Sequence, residues 1–236
     1  MIDVFYLTDI SSRSEALLLT LPGNLGLVFG AILLTCFGNL IGHWKWTLTA
    51  SWVSMVLWGG LMALVTPYNK GLMIAFTFLE QASFGWAQYE SIAFTQLGVH
   101  QHDLGMSGGL AGVARYAGGS LAQAIYTSVL TNTQTARAAS AVPEAAISAG
   151  ASADTARALL VALAQGTHAV ESVQGANASI ISAATTAYKW SYAHGLKITA
   201  LSSLAFGGLG LIMCLLLENI DAKVSIKASN AACDSD

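Results

Sequence analysis

Charge is scarce in this sequence. Its 236 residues include 10 Lys and Arg and 13 Asp and Glu, so 10% of the chain is charged, against about 25% in soluble domains. With 54% hydrophobic residues, such a chain is expected to have a lipid bilayer as its surroundings. The net charge of -3 and the lack of any Lys/Arg-rich run speak against a nucleic-acid partner. Cysteine is also scarce. Cys36, Cys214 and Cys233 stand far apart, with no CxxC and no metal-ligand spacing, so neither a disulfide framework nor a metal site is expected. Enzyme signatures are missing: there is no GxSxG, no HExxH, no GxxxxGK[ST], and no GxGxxG between a strand and a helix. Nothing therefore implies catalysis or a cofactor. Residues 1–12 lack a basic segment and carry Asp3 and Asp9, so they are not expected to be a signal peptide.

Long uncharged runs fill the space. Residues 16–41 exceed the ~20 residues that cross a bilayer and hold no charge. Pro22 lies near the start of this run, where a missing N–H costs least. Gly26 and Gly30 form a small-xxx-small pair that lets another helix approach closely. GHWKW at 42–46 reads as a short turn, and a second uncharged run covers 46–65. Pro67 to Lys70 is a turn with an interfacial tyrosine and lysine. A third span is expected over 71–97 and a fourth over 105–131. Between them, GVHQHDL carries His100, His102 and Asp103. A metal would need a further ligand, so this segment reads as a solvated turn.

Residues 132–191 are rich in Ala, Ser and Thr and contain no spanning run. They are expected to form an external loop with short amphipathic helices. One such helix covers 154–165, with Leu159, Leu160 and Leu163 inward and Gly166 ending it; a second covers 178–188. Asn177 opens the glycosylation sequon Asn177-Ala178-Ser179, which favours an external location. A last span at 192–217 leads to a cytoplasmic tail at 218–236. Residues 1–15 are read as an external loop and 16–131 as four transmembrane helices. The basic residues favour this orientation by a small margin.

The third and fourth spans carry the polarity. The third holds Glu80, Gln81, Gln88, Glu90 and Gln96, which a lipid-facing helix would not accept. Trp86 and Tyr89 lie near the sector of the glutamates, where they could line a cavity. The fourth holds Arg115 in a glycine-rich run, with Gly108, Gly112 and Gly118 on a small face. At 1.5 Å per residue, Glu90 and Arg115 fall within roughly 5 Å of each other in depth and could pair. The chemistry this suggests is proton exchange on Glu80 or Glu90, tuned by Arg115, with a structural ion pair as the plain alternative.

Three stretches, at 21–46 (LPGNLGLVFG to GNLIGHWKW), 78–99 (FLEQASFGWAQYESIAFTQLGV) and 107–133 (SGGLAGVARYAGGSLAQAIYTSVLTNT), resemble the C-terminal part of fungal major facilitator superfamily transporters. The nearest group is the trichothecene efflux pump family, whose relatives include siderophore transporters. The resemblance implies an all-α polytopic membrane fold built from two pseudo-symmetric bundles with alternating access between them. The first four spans here would be the second to fifth helices of the C-terminal bundle, and the last span its sixth. On that reading the chain is a C-terminal fragment with about five transmembrane helices, and its missing N-terminal bundle is an expected partner. Small-molecule efflux coupled to protons is the implied function, in the plasma membrane or else the vacuolar membrane. A siderophore transporter fragment and a non-transporting membrane remnant are the alternatives.

Overall fold

The computed structural model describes residues 13–97, 99–165, 169–170 and 172–219. Six α-helices account for nearly all of them, and no strand occurs among the described residues. In chain order they are α1 (Arg13–Ile41), α2 (Trp44–Leu61), α3 (Lys70–Leu97), α4 (Leu104–Ser148), α5 (Ala153–Gln165) and α6 (Ala178–Leu216). Single 3-10 turns follow α2 at Met62–Leu64 and precede α4 at Gln101–Asp103. Three segments are long and apolar enough to cross a membrane: Leu17–Gly38, Trp44–Leu64 and Ala178–Leu216. The expected third and fourth spans are helical and, at 28 and 45 residues, longer than a bilayer requires. Their glutamates, glutamines and glycines hold them below the same apolar measure.

The helix ends differ from expectation in one region. Residues 132–191, expected as a loop with short helices, are mostly helix. α4 runs on to Ser148 through Pro143, and α6 begins at Ala178, so the expected short helix at 178–188 is its first three turns. The physical reason is that helix formation and bilayer insertion draw on different properties. Ala is the strongest helix former, so an Ala-rich run continues a helix after its hydropathy has fallen too low for lipid. The short helix expected at 154–165 is present as α5. Ser152 caps it, its Oγ accepting from the Thr155 N–H at 3.2 Å. Gly166, and most of the expected terminal loop and tail, lie outside the described residues.

The chain divides into two compact units. One comprises residues 1–21, 62–74 and 125–202. Its core is made of small side chains: Ala138, Val142 and Ala146 from α4, Ala156, Leu159 and Ala162 from α5, and Ile180 and Ala184 from α6. Leu160 and Leu163 pack against it, as their spacing predicts. The turn after α2 is fixed by Asn69, whose Oδ1 accepts from the Thr66 N–H and whose Nδ2 donates to the Leu64 carbonyl, both at 2.9 Å.

The second unit comprises residues 22–61, 75–124 and 203–236. Glycine sets its helix contacts. A Cβ on Gly30 of α1 would stand 2.8 Å from the carbonyl carbon of Ala82 and 3.0 Å from the Trp86 nitrogen, both on α3. Gly26 meets the backbone of Phe78 in the same way, and Gly85 of α3 meets Leu27 of α1. On the other side, Gly60 and Gly207 bring α2 and α6 together around Leu204 and Val56. Leu48, Ala87 and Cys214 form a small core here, with Trp52 and Phe94 against it.

Candidate functional site

α1 and α2 are joined by two residues, Gly42 and His43. Gly42 adopts φ 64°, in the left-handed region that glycine enters without strain. The His43 carbonyl then accepts from the N–H groups of Trp46 and Thr47 at 3.1 Å. This tight reversal places Thr47 in the first turn of α2, facing α3. There its hydroxyl donates to Oε1 of Glu90. Trp86 lies one turn before Glu90 on α3, on the same face. Its indole Nε1 donates to Oε2 of Glu90 at 2.9 Å. Glu90 itself is 0% exposed. Both carboxylate oxygens are thus held by neutral donors, and no cation pairs with Glu90 among the described residues.

Thr47 and Trp86 also form part of the wall of a cavity of about 350 Å³, with Phe29, Ser54, Trp58 and Ser83. The polar groups of the wall bond to one another. Trp58 Nε1 donates to Ser54 Oγ at 3.1 Å, Ser54 and Ser83 share a bond of 2.8 Å, and Ser83 Oγ donates to the Leu79 carbonyl. Ser51, also on the wall, donates to Leu48. The donor hydrogens of this wall are therefore engaged, while hydroxyl lone pairs remain. The cavity suits an apolar molecule that brings a few donors of its own.

Of the residues expected to act together, only some meet. Glu90 and Trp86 bond to each other, and Tyr89 is exposed on the same helix. Glu80 is half-buried ten positions earlier, about 15 Å along the axis, where its Oε2 accepts from Gln81 at 2.9 Å. The two glutamates are separate sites. Arg115 does not pair with Glu90. It is exposed, with its guanidinium 5.6 Å from the ring centre of Tyr116, a cation–π contact. Depth alone suggested the pair, but Glu90 is enclosed against two neutral donors from α2 and α3, while Arg115 stays exposed. The glycines divide in the same way. Gly26 and Gly30 are packing positions, whereas a Cβ on Gly108, Gly112 or Gly118 would meet nothing within 4 Å. Gly108, Gly112 and Tyr116 instead line an open groove along α4. Asn177 caps α6, its Oδ1 accepting from the Ile180 N–H at 3.1 Å and from Ser179 Oγ at 2.8 Å. The Nε2 of His102 lies 3.1 Å from Asp103.

Sequence reasoning missed Thr47, Ser54 and Ser83. Each sits in a helix as an isolated hydroxyl, and such residues usually bond back to their own helix. The available signal was the two-residue turn, which forces the first turn of α2 against a helix already marked by glutamate. Gln88, one of the polar residues of the third span, has its Oε1 buried with no hydrogen-bond partner among the described residues.

Comparison with known proteins places this chain in a family. The fungal trichothecene efflux pump family model matches residues 2–234. The chain is 44% identical over 227 residues to the MFS-type transporter prx5 of Penicillium rubens, an alignment that covers 96% of this chain and 41% of that protein. It thus spans about two fifths of the length of the curated relative that it matches. No solved structure matches it. The chain is an integral membrane protein of all-α fold, and it belongs to the fungal trichothecene efflux pump family of major facilitator transporters.

Proposed function

We propose that the chain contributes to proton-coupled efflux of a small organic compound, with Glu90 as the group that carries the proton. The observation behind this reading is a fully enclosed carboxyl group with no cation paired to it among the described residues, one hydrogen bond behind the wall of a cavity. A buried charge costs several kcal/mol unless it is paired, so a site of this kind favours an exchangeable proton over a permanent charge. Thr47 and Trp86 link the carboxyl to the cavity wall, so its charge can be felt by what the cavity holds. Glu80, bonded only to Gln81 among the contacts described, is a second titratable group with a supporting role. Alternating access requires a second bundle, and we propose that this chain works against an N-terminal bundle in the plasma membrane, where export leaves the cell.

The test uses proteoliposomes containing this chain together with the N-terminal half of a full-length relative. Wild type should drive uphill substrate movement under an imposed pH gradient. Glu90→Gln should retain substrate counterflow but lose the response to the gradient. If the gradient response survives Glu90→Gln unchanged, Glu90 is not the proton carrier.

A further inference from the structure

Five of the chain's ten Lys and Arg residues lie outside α1–α3 and the termini, and two of them line one cavity. In the unit comprising residues 1–21, 62–74 and 125–202, a cavity of about 530 Å³ is lined by Arg137 of α4 and by His194 and Lys197 of α6. Trp190, Ser191 and Thr66 complete its polar wall, and no Asp or Glu lines it. Neither Arg137 nor Lys197 makes an ion pair among the described residues, and both are exposed. In a chain of net charge -3, unpaired basic groups from two helices facing one hollow form a local positive site.

The packing around it is fixed. Gly195 lies between His194 and Lys197 in the same turn, and a Cβ there would stand 3.0 Å from Leu130 and 3.3 Å from Gln134 of α4. That close approach holds the two helices at the spacing that brings Arg137 opposite Lys197. The floor is the Asn69-capped turn at 62–69.

Its level along the chain is that of a membrane surface. Ala63 and Leu64 close the apolar segment Trp44–Leu64, and Val65 and Thr66 follow directly on the cavity wall. Beside it, Tyr68 and Trp190 meet edge to face with ring centres 6.4 Å apart, both exposed. Exposed Trp and Tyr at the end of an apolar segment are interface residues, and Arg and Lys bind phosphate groups through charge-assisted hydrogen bonds.

We propose that this cavity binds a phosphate group at the membrane surface. Arg137 would provide a planar pair of donors, Lys197 a point charge, and His194 and Thr66 further polar contacts. The phosphate can come from a phospholipid head group or from free phosphate, and the interfacial level favours the lipid. This site is separate from Glu90 and does not depend on the transport reading.

Native mass spectrometry of the full chain released from nanodiscs of phosphatidylcholine with phosphatidic acid tests the lipid source. Isothermal titration with inorganic phosphate in detergent tests the free ion. Each basic residue near a membrane surface contributes about five-fold in affinity, so Arg137→Gln with Lys197→Gln should cut retained phosphatidic acid by about 25-fold. Arg137→Lys with Lys197→Arg should retain it. Both positions are exposed, so an unchanged melting temperature will show that the fold survives. Phosphate binding that disappears in the Gln variant, with lipid retention unaffected, would assign the site to the free ion. Unchanged lipid retention and unchanged phosphate binding in the Gln variant would overturn the proposal.

Discussion

Gly30→Ala adds one methyl group where there is no room for it. The new Cβ would stand 2.8 Å from the Ala82 carbonyl carbon and 3.0 Å from the Trp86 nitrogen, whereas carbon atoms rest at about 3.5–4.0 Å. The obstacle is backbone, so no rotamer change relieves it, and α1 and α3 must separate by about 1 Å. Overpacking of this kind costs about 1–3 kcal/mol, and a rigid obstacle puts Gly30 near the upper end. The gain in helix propensity from Gly to Ala, about 1 kcal/mol, offsets part of it. The net expectation is a loss of about 2 kcal/mol. Gly112→Ala is the matched control: the same chemistry in a helix, with nothing within 4 Å of the new Cβ. It should be neutral or up to about 1 kcal/mol stabilising. The two variants should therefore differ by about 2–3 kcal/mol in an SDS titration followed by circular dichroism and tryptophan fluorescence. Because the contact includes the Trp86 backbone, Gly30→Ala should also shift the fluorescence of the folded state, as the bond from Trp86 to Glu90 is disturbed. Equal stability of the two variants would refute the close packing of α1 on α3.

Thr47→Val removes one of the two donors to Glu90 and leaves a buried oxygen unsatisfied, a loss of about 1–3 kcal/mol; a double-mutant cycle with Trp86→Phe should show coupling, because both act through one carboxylate. Arg115→Gln should change stability by less than about 0.5 kcal/mol, as an exposed residue does, and a loss several times larger in the same titration would restore the ion pair that the structure does not contain. Ser152→Ala removes the cap of α5 and should cost about 1 kcal/mol, measured as earlier loss of helical signal on heating. Asn177→Ala should cost a similar amount through α6; a downward gel shift in the fungal host, absent after glycosidase treatment of wild type, would add that the residue is glycosylated.

Much of the fold was legible because membrane insertion leaves a strong trace. The uncharged runs at 16–41 and 46–65 appear as α1 and α2, and the glycine spacing at Gly26 and Gly30 marks a real close contact. Less was legible where the trace depends on a partner. The spacing of Gly108, Gly112 and Gly118 is the same kind of pattern, yet these residues face open space. Small residues permit a close neighbour but do not supply one. The extent of α4 and α6 was hidden for a different reason: hydropathy reports which part of a helix lies in lipid, and an alanine-rich helix continues well past that boundary.

The site illustrates what position along a helix can and cannot convey. Depth is one coordinate, fixed by 1.5 Å per residue, and it put Glu90 level with Arg115. Contact needs two more: the direction each side chain faces, and the absence of a nearer partner. Trp86 satisfies both for Glu90, because a residue four positions earlier lies directly over it on the helix face. Thr47 satisfies them because a left-handed glycine at position 42 folds α2 back against α3. Glu90 is fully enclosed, so an arginine would lose its hydration to reach it. Exposed on α4 beside Tyr116, Arg115 keeps that hydration and gains a cation–π contact. Hydrogen bonds from neutral donors favour the charged form of the carboxyl group, but less than a fixed arginine would. The arrangement without the ion pair is therefore the one that fits the proposed proton exchange.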